Sequence, residues 1–85
     1  MPLHIGKLIR EELDRQPKQH TVTWFADRLN CNRRNVYDIF SRRDIDTNLL
    51  RRICAVLDHD FFRDISEAML HESHTEDEGH SDVNV

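Results

Sequence analysis

Arg33 and Arg34 stand side by side at the head of the segment RRNVYDIFS, with Tyr37, Asp38 and Ser41 following within it. Val36, Ile39 and Phe40 fill the complementary apolar positions, so a helical period puts the five polar side chains on one outward face. That face suits duplex DNA. An arginine fork matches O6 and N7 of guanine, and a carboxylate accepts from N4 of cytosine. Arg33, Arg34, Tyr37 and Asp38 are therefore the candidate base contacts. Arg34 and Asp38, four apart, are also expected to pair on the helix surface. Candidate phosphate contacts surround them. Ser41, Arg42 and Arg43 end the segment or follow it, and Thr21, Asn32, Thr47 and Asn48 mark helix N-termini, where free N–H groups and the dipole favour anions.

Other chemistries find less support. No Ser or Cys sits in an activating arrangement, no Gly-rich phosphate loop is present, and no carboxylate pair has a cleft around it, so no enzyme activity is expected. Cys31 and Cys54 lack CxxC partners and lie in apolar stretches, which reads as two buried reduced thiols rather than a metal site. His71 and His74 stand beside Glu72, Glu76, Asp77 and Glu78, an arrangement read as a polar tail. No cofactor or metal is expected.

The charge is unevenly spread. Residues 1–52 carry 11 Lys/Arg against 7 Asp/Glu, and residues 53–85 carry 1 against 9, within a net charge of -4. Such a split suits a nucleic-acid surface joined to an acidic tail.

These side chains need short helices to position them. A first helix is expected over Leu3–Gln16, with Ile5, Leu8, Ile9 and Leu13 in one stripe and Pro17 as its stop. Thr21 caps a second, Val22–Leu29, which turns Phe25, Ala26 and Leu29 inward, and Trp24 packs partly against the core. Asn30 closes that helix because Asn tolerates the left-handed conformation. Asn32 caps a third, Arg33–Phe40, and Arg42, Arg43 and Asp44 form an exposed loop. Asp46 caps a fourth, with Ile45 and Leu50 placed as a hydrophobic staple, Leu50, Ile53, Cys54 and Leu57 inward, and Arg51 and Arg52 in solvent. Asp60 caps a fifth, with Phe61, Phe62, Ile65 and Met69 inward. From His71 apolar residues almost vanish, so a folded domain over 1–70 and a disordered acidic tail over 71–85 are expected. The length of 85 residues allows one domain, and two Gly and two Pro leave few breakers for a turn-rich β fold. No apolar run reaches the ~20 residues of a membrane span, and the N-terminus MPLHIGKLIREEL lacks a signal-peptide core; a soluble intracellular protein is expected.

The stretch VTWFADRLNCNRRNVYDIFS places Ala26 where two helices approach, a turn residue at Asn30, and apolar residues at Phe25, Leu29, Cys31, Val36 and Ile39. With IDTNLLRRICAVL behind it, the chain resembles the lambda repressor/Cro-like helix-turn-helix proteins over residues 3–69. Two positions depart from the family pattern: Asn30 replaces the usual turn Gly, and Val22 the Gln that often opens helix 2 and contacts phosphate. The resemblance implies an all-α, five-helix DNA-binding domain that lays helix 3 in the major groove and regulates transcription. It also implies a bacterial cytoplasmic, nucleoid-associated setting and a homodimer on half-sites about 34 Å apart. Helix 5, around Phe62, Glu67 and Met69, is the surface expected to pair the copies. Two other readings stand beside it: a protein-interaction module that kept the fold without DNA binding, and an antitoxin whose acidic tail binds a protein partner.

Overall fold

The computed structural model describes residues 3–76, and of 72–76 the backbone alone. It contains five helices: α1 (Ile5–Arg15), α2 (Val22–Leu29), α3 (Arg33–Ser41), α4 (Thr47–Leu57) and α5 (Phe61–Glu76). No strand occurs among the described residues.

Each helix starts where a side chain can take an orphan amide. Thr21 Oγ1 accepts from Trp24 N at 3.1 Å, Asn32 Oδ1 from Asn35 N at 2.9 Å, Asp46 Oδ1 from Leu49 N at 2.9 Å, and Asp60 Oδ1 from Arg63 N at 3.1 Å. These are the caps the sequence suggests, each worth about 1 kcal/mol. Helix α1 differs. It begins at Ile5 rather than Leu3, capped by His4, whose Nδ1 accepts from Lys7 N at 3.1 Å. It ends at Arg15, because Gln16 is already extended ahead of Pro17. Helix α3 runs one residue further than expected, to Ser41. Asn30 takes the left-handed conformation at φ 59°, and Asp58 does the same after α4 at φ 52°.

Helix α1 packs on α3, α3 on α2, and α2 on α4. Ile9, Phe25, Val36, Ile53, Leu57 and Phe61 form the fully buried centre. The first residue of α5 therefore belongs to the core. Phe62 and Met69 do not: they are 38% and 59% exposed, where an inward position is expected. Met69 lies two turns beyond the last fully buried side chain, and Phe62 points away from the filled core. Helix α5 also continues past Leu70 to Glu76, into the stretch read as tail. The rest of that expected tail, 77–85, lies outside the described residues. Cys31 and Cys54 are free thiols, half-buried rather than buried; Cys54 Sγ accepts from Phe61 N at 3.4 Å.

Two contacts set how α1 sits. At its start, Ile5 N donates to Arg43 O and Gly6 N to Arg42 O, both at 2.9 Å. The open amides of α1 thus meet carbonyls just past the end of α3. Gly6 permits this approach, since a Cβ there would stand within 2.6 Å of the carbonyl oxygens of Ile39, Phe40 and Arg42. At the other end, Gln16 Nε2 donates to Glu12 Oε2 and to Leu57 O, both at 3.0 Å. Glu12 also takes Arg15 at 2.8 Å and stands 3.6 Å from His59 Nδ1; His59 Nε2 lies 2.7 Å from Asp64 Oδ2. Burial pushes the Glu12 carboxyl up. Hydrogen bonds from Gln16 and Arg15, with the charges of His59 and Arg15, outweigh that and hold it below its ordinary value of 4.5.

Gly6→Ala should destabilise the fold by about 1–3 kcal/mol through overpacking, although alanine is favoured by roughly 1 kcal/mol in an open helix. Thermal unfolding would show a drop of about 4–8 °C per kcal/mol in a domain this small; a gain in stability would mean that α1 does not dock this way. A depressed carboxyl stabilises the fold above its unfolded pKa, and that contribution is lost as pH falls through the lower folded value. Glu12→Gln should therefore cost stability at neutral pH, and the gap to wild type should close below the ordinary value of 4.5. Urea unfolding across that range checks it; a gap independent of pH would remove Glu12 from the acid response.

Candidate nucleic-acid interface

Val36, Ile39 and Phe40 anchor α3, at 0%, 5% and 9% exposure. The opposite side carries Arg34, Asp38 and Ser41, with Arg33 and Tyr37 toward the Phe40 edge; all five are exposed. The structure thus brings together the four candidate base contacts and Ser41 on one helix face. Tyr37 meets Phe40 edge-on, centroids 6.0 Å apart, which supports the ring while leaving it 52% exposed. Arg10 of α1 places its guanidinium 5.2 Å from the centre of the Phe40 ring and so adds a cation beside that edge.

Asp38 pairs with Arg42, not with Arg34. Arg42 Nη2 lies 2.7 Å from Asp38 Oδ2, and its Nε donates to the same oxygen at 3.1 Å. The physical reason is helix polarity: an acid four residues before a base is the better order, and a cation at a helix C-terminus faces the negative end of the dipole. Arg42 is accordingly the C-cap of α3 rather than a free loop residue. Ser41 is also occupied, its Oγ donating to Asp38 O at 2.7 Å. The side chains of Arg33, Arg34 and Arg43 have no hydrogen-bond or ion-pair partner among the described residues. On α3 and in the loop after it, they are the cations left available to an incoming anion.

The remaining candidates differ in how free they are. Asn32 caps α3 through Oδ1, and its amide nitrogen stays available at the head of the arginine face. Thr21 caps α2, so its oxygen accepts from Trp24 N. Thr47 and Asn48 open α4 and are exposed. Asp46 caps that terminus with its own carboxylate, which works against a phosphate there.

Several side chains play parts the sequence reading missed. Arg52, expected in solvent, donates from Nη2 to Leu29 O at 2.7 Å and so ties α4 to the last turn of α2. Twenty-three positions separate the pair, and no local signal announces it. Asn35 is exposed in the first turn of α3, beside Asp38 on a wheel, and its side chain has no partner among the described residues. Its place between Arg34 and the core position Val36 was the available clue. Trp24 is half-buried as expected, and it stacks on His20 at 3.7 Å with Arg28 5.6 Å from its ring centre. No family model, curated protein or solved structure matches the chain.

The Asp38–Arg42 pair is about half exposed on both sides, at 48% and 54%. Asp38→Ala should therefore change stability by only about 0.2–1 kcal/mol. Urea unfolding measures it; a loss several times larger would show the pair holding the end of α3 in place.

Proposed function

We propose that this chain binds double-stranded DNA sequence-specifically by laying α3 in the major groove, as a small transcriptional regulator of the lambda repressor/Cro-like helix-turn-helix kind. One observation carries the reading. A short helix, buried along Val36, Ile39 and Phe40, presents Arg33 and Arg34 unpaired in its exposed first turn. Its start follows α2 after only Asn30–Asn32, with Asn30 left-handed. Short helices joined by such a turn, the second led by base-reading side chains, are what this recognition mode requires. Arg33 and Arg34 read guanine, Tyr37 stands beside them, and Arg43 takes phosphate. Asp38 holds Arg42 in the free protein, so it reaches cytosine only by exchanging that partner.

A homodimer fits the same reading, with two copies meeting through the exposed side chains of α5. Those side chains also favour a second reading. Phe62, Met69 and Leu70, at 38%, 59% and 66% exposure, suit a protein partner, as an interaction module or antitoxin would need. Salt-dependent binding to random duplex separates the regulator from the interaction-only module, which shows none.

Selection of bound sequences from a random duplex pool should return a motif. On that site Arg33→Ala and Arg34→Ala should each cost about 1–3 kcal/mol, with a much smaller loss on random DNA. Equal losses on both would make them phosphate contacts. Arg43→Ala should weaken binding to all sequences alike and reduce the slope of log K against log salt by about one; an unchanged slope would take Arg43 out of the interface.

A further inference from the structure

A cleft of about 250 Å³ opens between α3, α4 and the turn that joins α2 to α3. Leu29, Ile39 and Leu49 line one part of it, and Asn35, Asp38, Arg42 and Arg52 supply polar groups. Arg42 is engaged by Asp38 at 2.7 Å. Arg52 has no carboxylate within ion-pair distance among the described residues. Its Nη2 is fixed on Leu29 O at 2.7 Å, so the guanidinium is held in place while its other donors lack partners. The cleft thus combines an apolar surface, one uncompensated and preorganised cation, and the unpartnered amide of Asn35.

We infer that this cleft binds a small organic carboxylate with a flat apolar body. The guanidinium fork matches a carboxylate in two parallel hydrogen bonds, and the Asn35 amide can donate a third. Leu29, Ile39 and Leu49 cover the apolar body. The volume lies just under the roughly 300–1,000 Å³ of pockets for drug-sized ligands, which sets the ligand at the scale of a single ring. The bound carboxylate also competes with Asp38 for Arg42. Asn35, Asp38 and Arg42 all belong to α3 or its cap, so occupancy alters the helix proposed to read DNA. That consequence rests on the DNA-binding reading; the binding itself does not.

The test titrates the isotope-labelled full-length chain with sodium benzoate, and with benzamide as the uncharged counterpart, at constant ionic strength. Benzoate should shift the amides of Asn35, Leu49 and Arg52 saturably in the millimolar range, and benzamide far more weakly. Arg52→Gln should weaken benzoate binding by about tenfold or more. Leu49→Phe, which fills the cleft without touching a charge, should do the same, with the rest of the spectrum reporting an intact fold. Non-saturating shifts, equal binding of benzamide, or unchanged affinity in both variants would overturn the site. A second arm measures duplex affinity at saturating benzoate, where a change of about fivefold is expected. Unchanged duplex affinity would overturn the regulatory consequence. A chain that binds no duplex would defeat the DNA reading and leave the benzoate result to stand or fall separately.

Discussion

The arrangement depends first on the meeting of two helix ends. The start of α1 leaves amides without partners, and the chain just beyond α3 offers carbonyls. Ile5 and Gly6 donate to Arg43 and Arg42, and both sets of groups are satisfied without solvent. This works only at close range, which is why the position is glycine: any side chain would collide with Ile39, Phe40 and Arg42 carbonyls. The consequence reaches α3 directly. Its rear is fixed by Val36, Ile39 and Phe40, its end by α1, and its start by the Asn32 cap. What remains free is the outward face, with Arg33 and Arg34 in its first turn and Arg43 beyond its cap.

A second set of contacts holds the other end of α1. Glu12 and Gln16 reach Arg15, Leu57 O and His59, and His20 Nδ1 approaches Gln16 Oε1 at 2.8 Å. Both amide hydrogens of Gln16 go to acceptors, so its oxygen must accept from His20. That puts a hydrogen on Nδ1 of His20. The ring then stacks on Trp24 with an angle of 4° between planes. Three segments are oriented by one short polar chain: α1, the start of α2 and, distant from both in sequence, the α4–α5 corner. Glu12 is its charged centre, which explains why its carboxyl stays ionised despite burial.

The features legible in the sequence were the local ones. Caps at Thr21, Asn32, Asp46 and Asp60 follow from side chains that compete for nearby amides, and a left-handed Asn30 from residue chemistry alone. The apolar stripes of α1 to α4 were readable because each period meets a partner helix. The same reasoning misplaced Phe62 and Met69, since a period names a face but not whether anything covers it. It also overextended the tail: a polar, acidic segment can continue a helix, as the backbone of 71–76 does here. Gly6 and Arg52 were beyond reach for another reason. Their roles come from backbone groups in distant segments, and a carbonyl leaves no trace in residue type. On α3, face membership was legible while the ion pairing was not, because Asp38 has a cation four residues away on either side and only helix polarity chooses between them.

A net charge of -4 therefore says little about what α3 presents. At physiological salt, exposed charges act over a Debye length of about 8 Å, so a ligand near α3 responds to the groups around it rather than to the whole chain. Acids elsewhere are partly taken up locally: Asp64 by His59, Glu67 by Arg63, and Glu12 by Arg15. On α3 itself the one carboxylate is neutralised by Arg42, and Arg33 and Arg34 are not neutralised at all. The pairing of Asp38 with the later arginine thus has an electrostatic effect at the opposite end of the helix. Had Asp38 taken Arg34, the first turn would hold one free guanidinium and the C-cap another. As it stands, both free guanidiniums of the helix are concentrated in its first turn, at the positive end of its dipole, where a negatively charged partner is most strongly favoured.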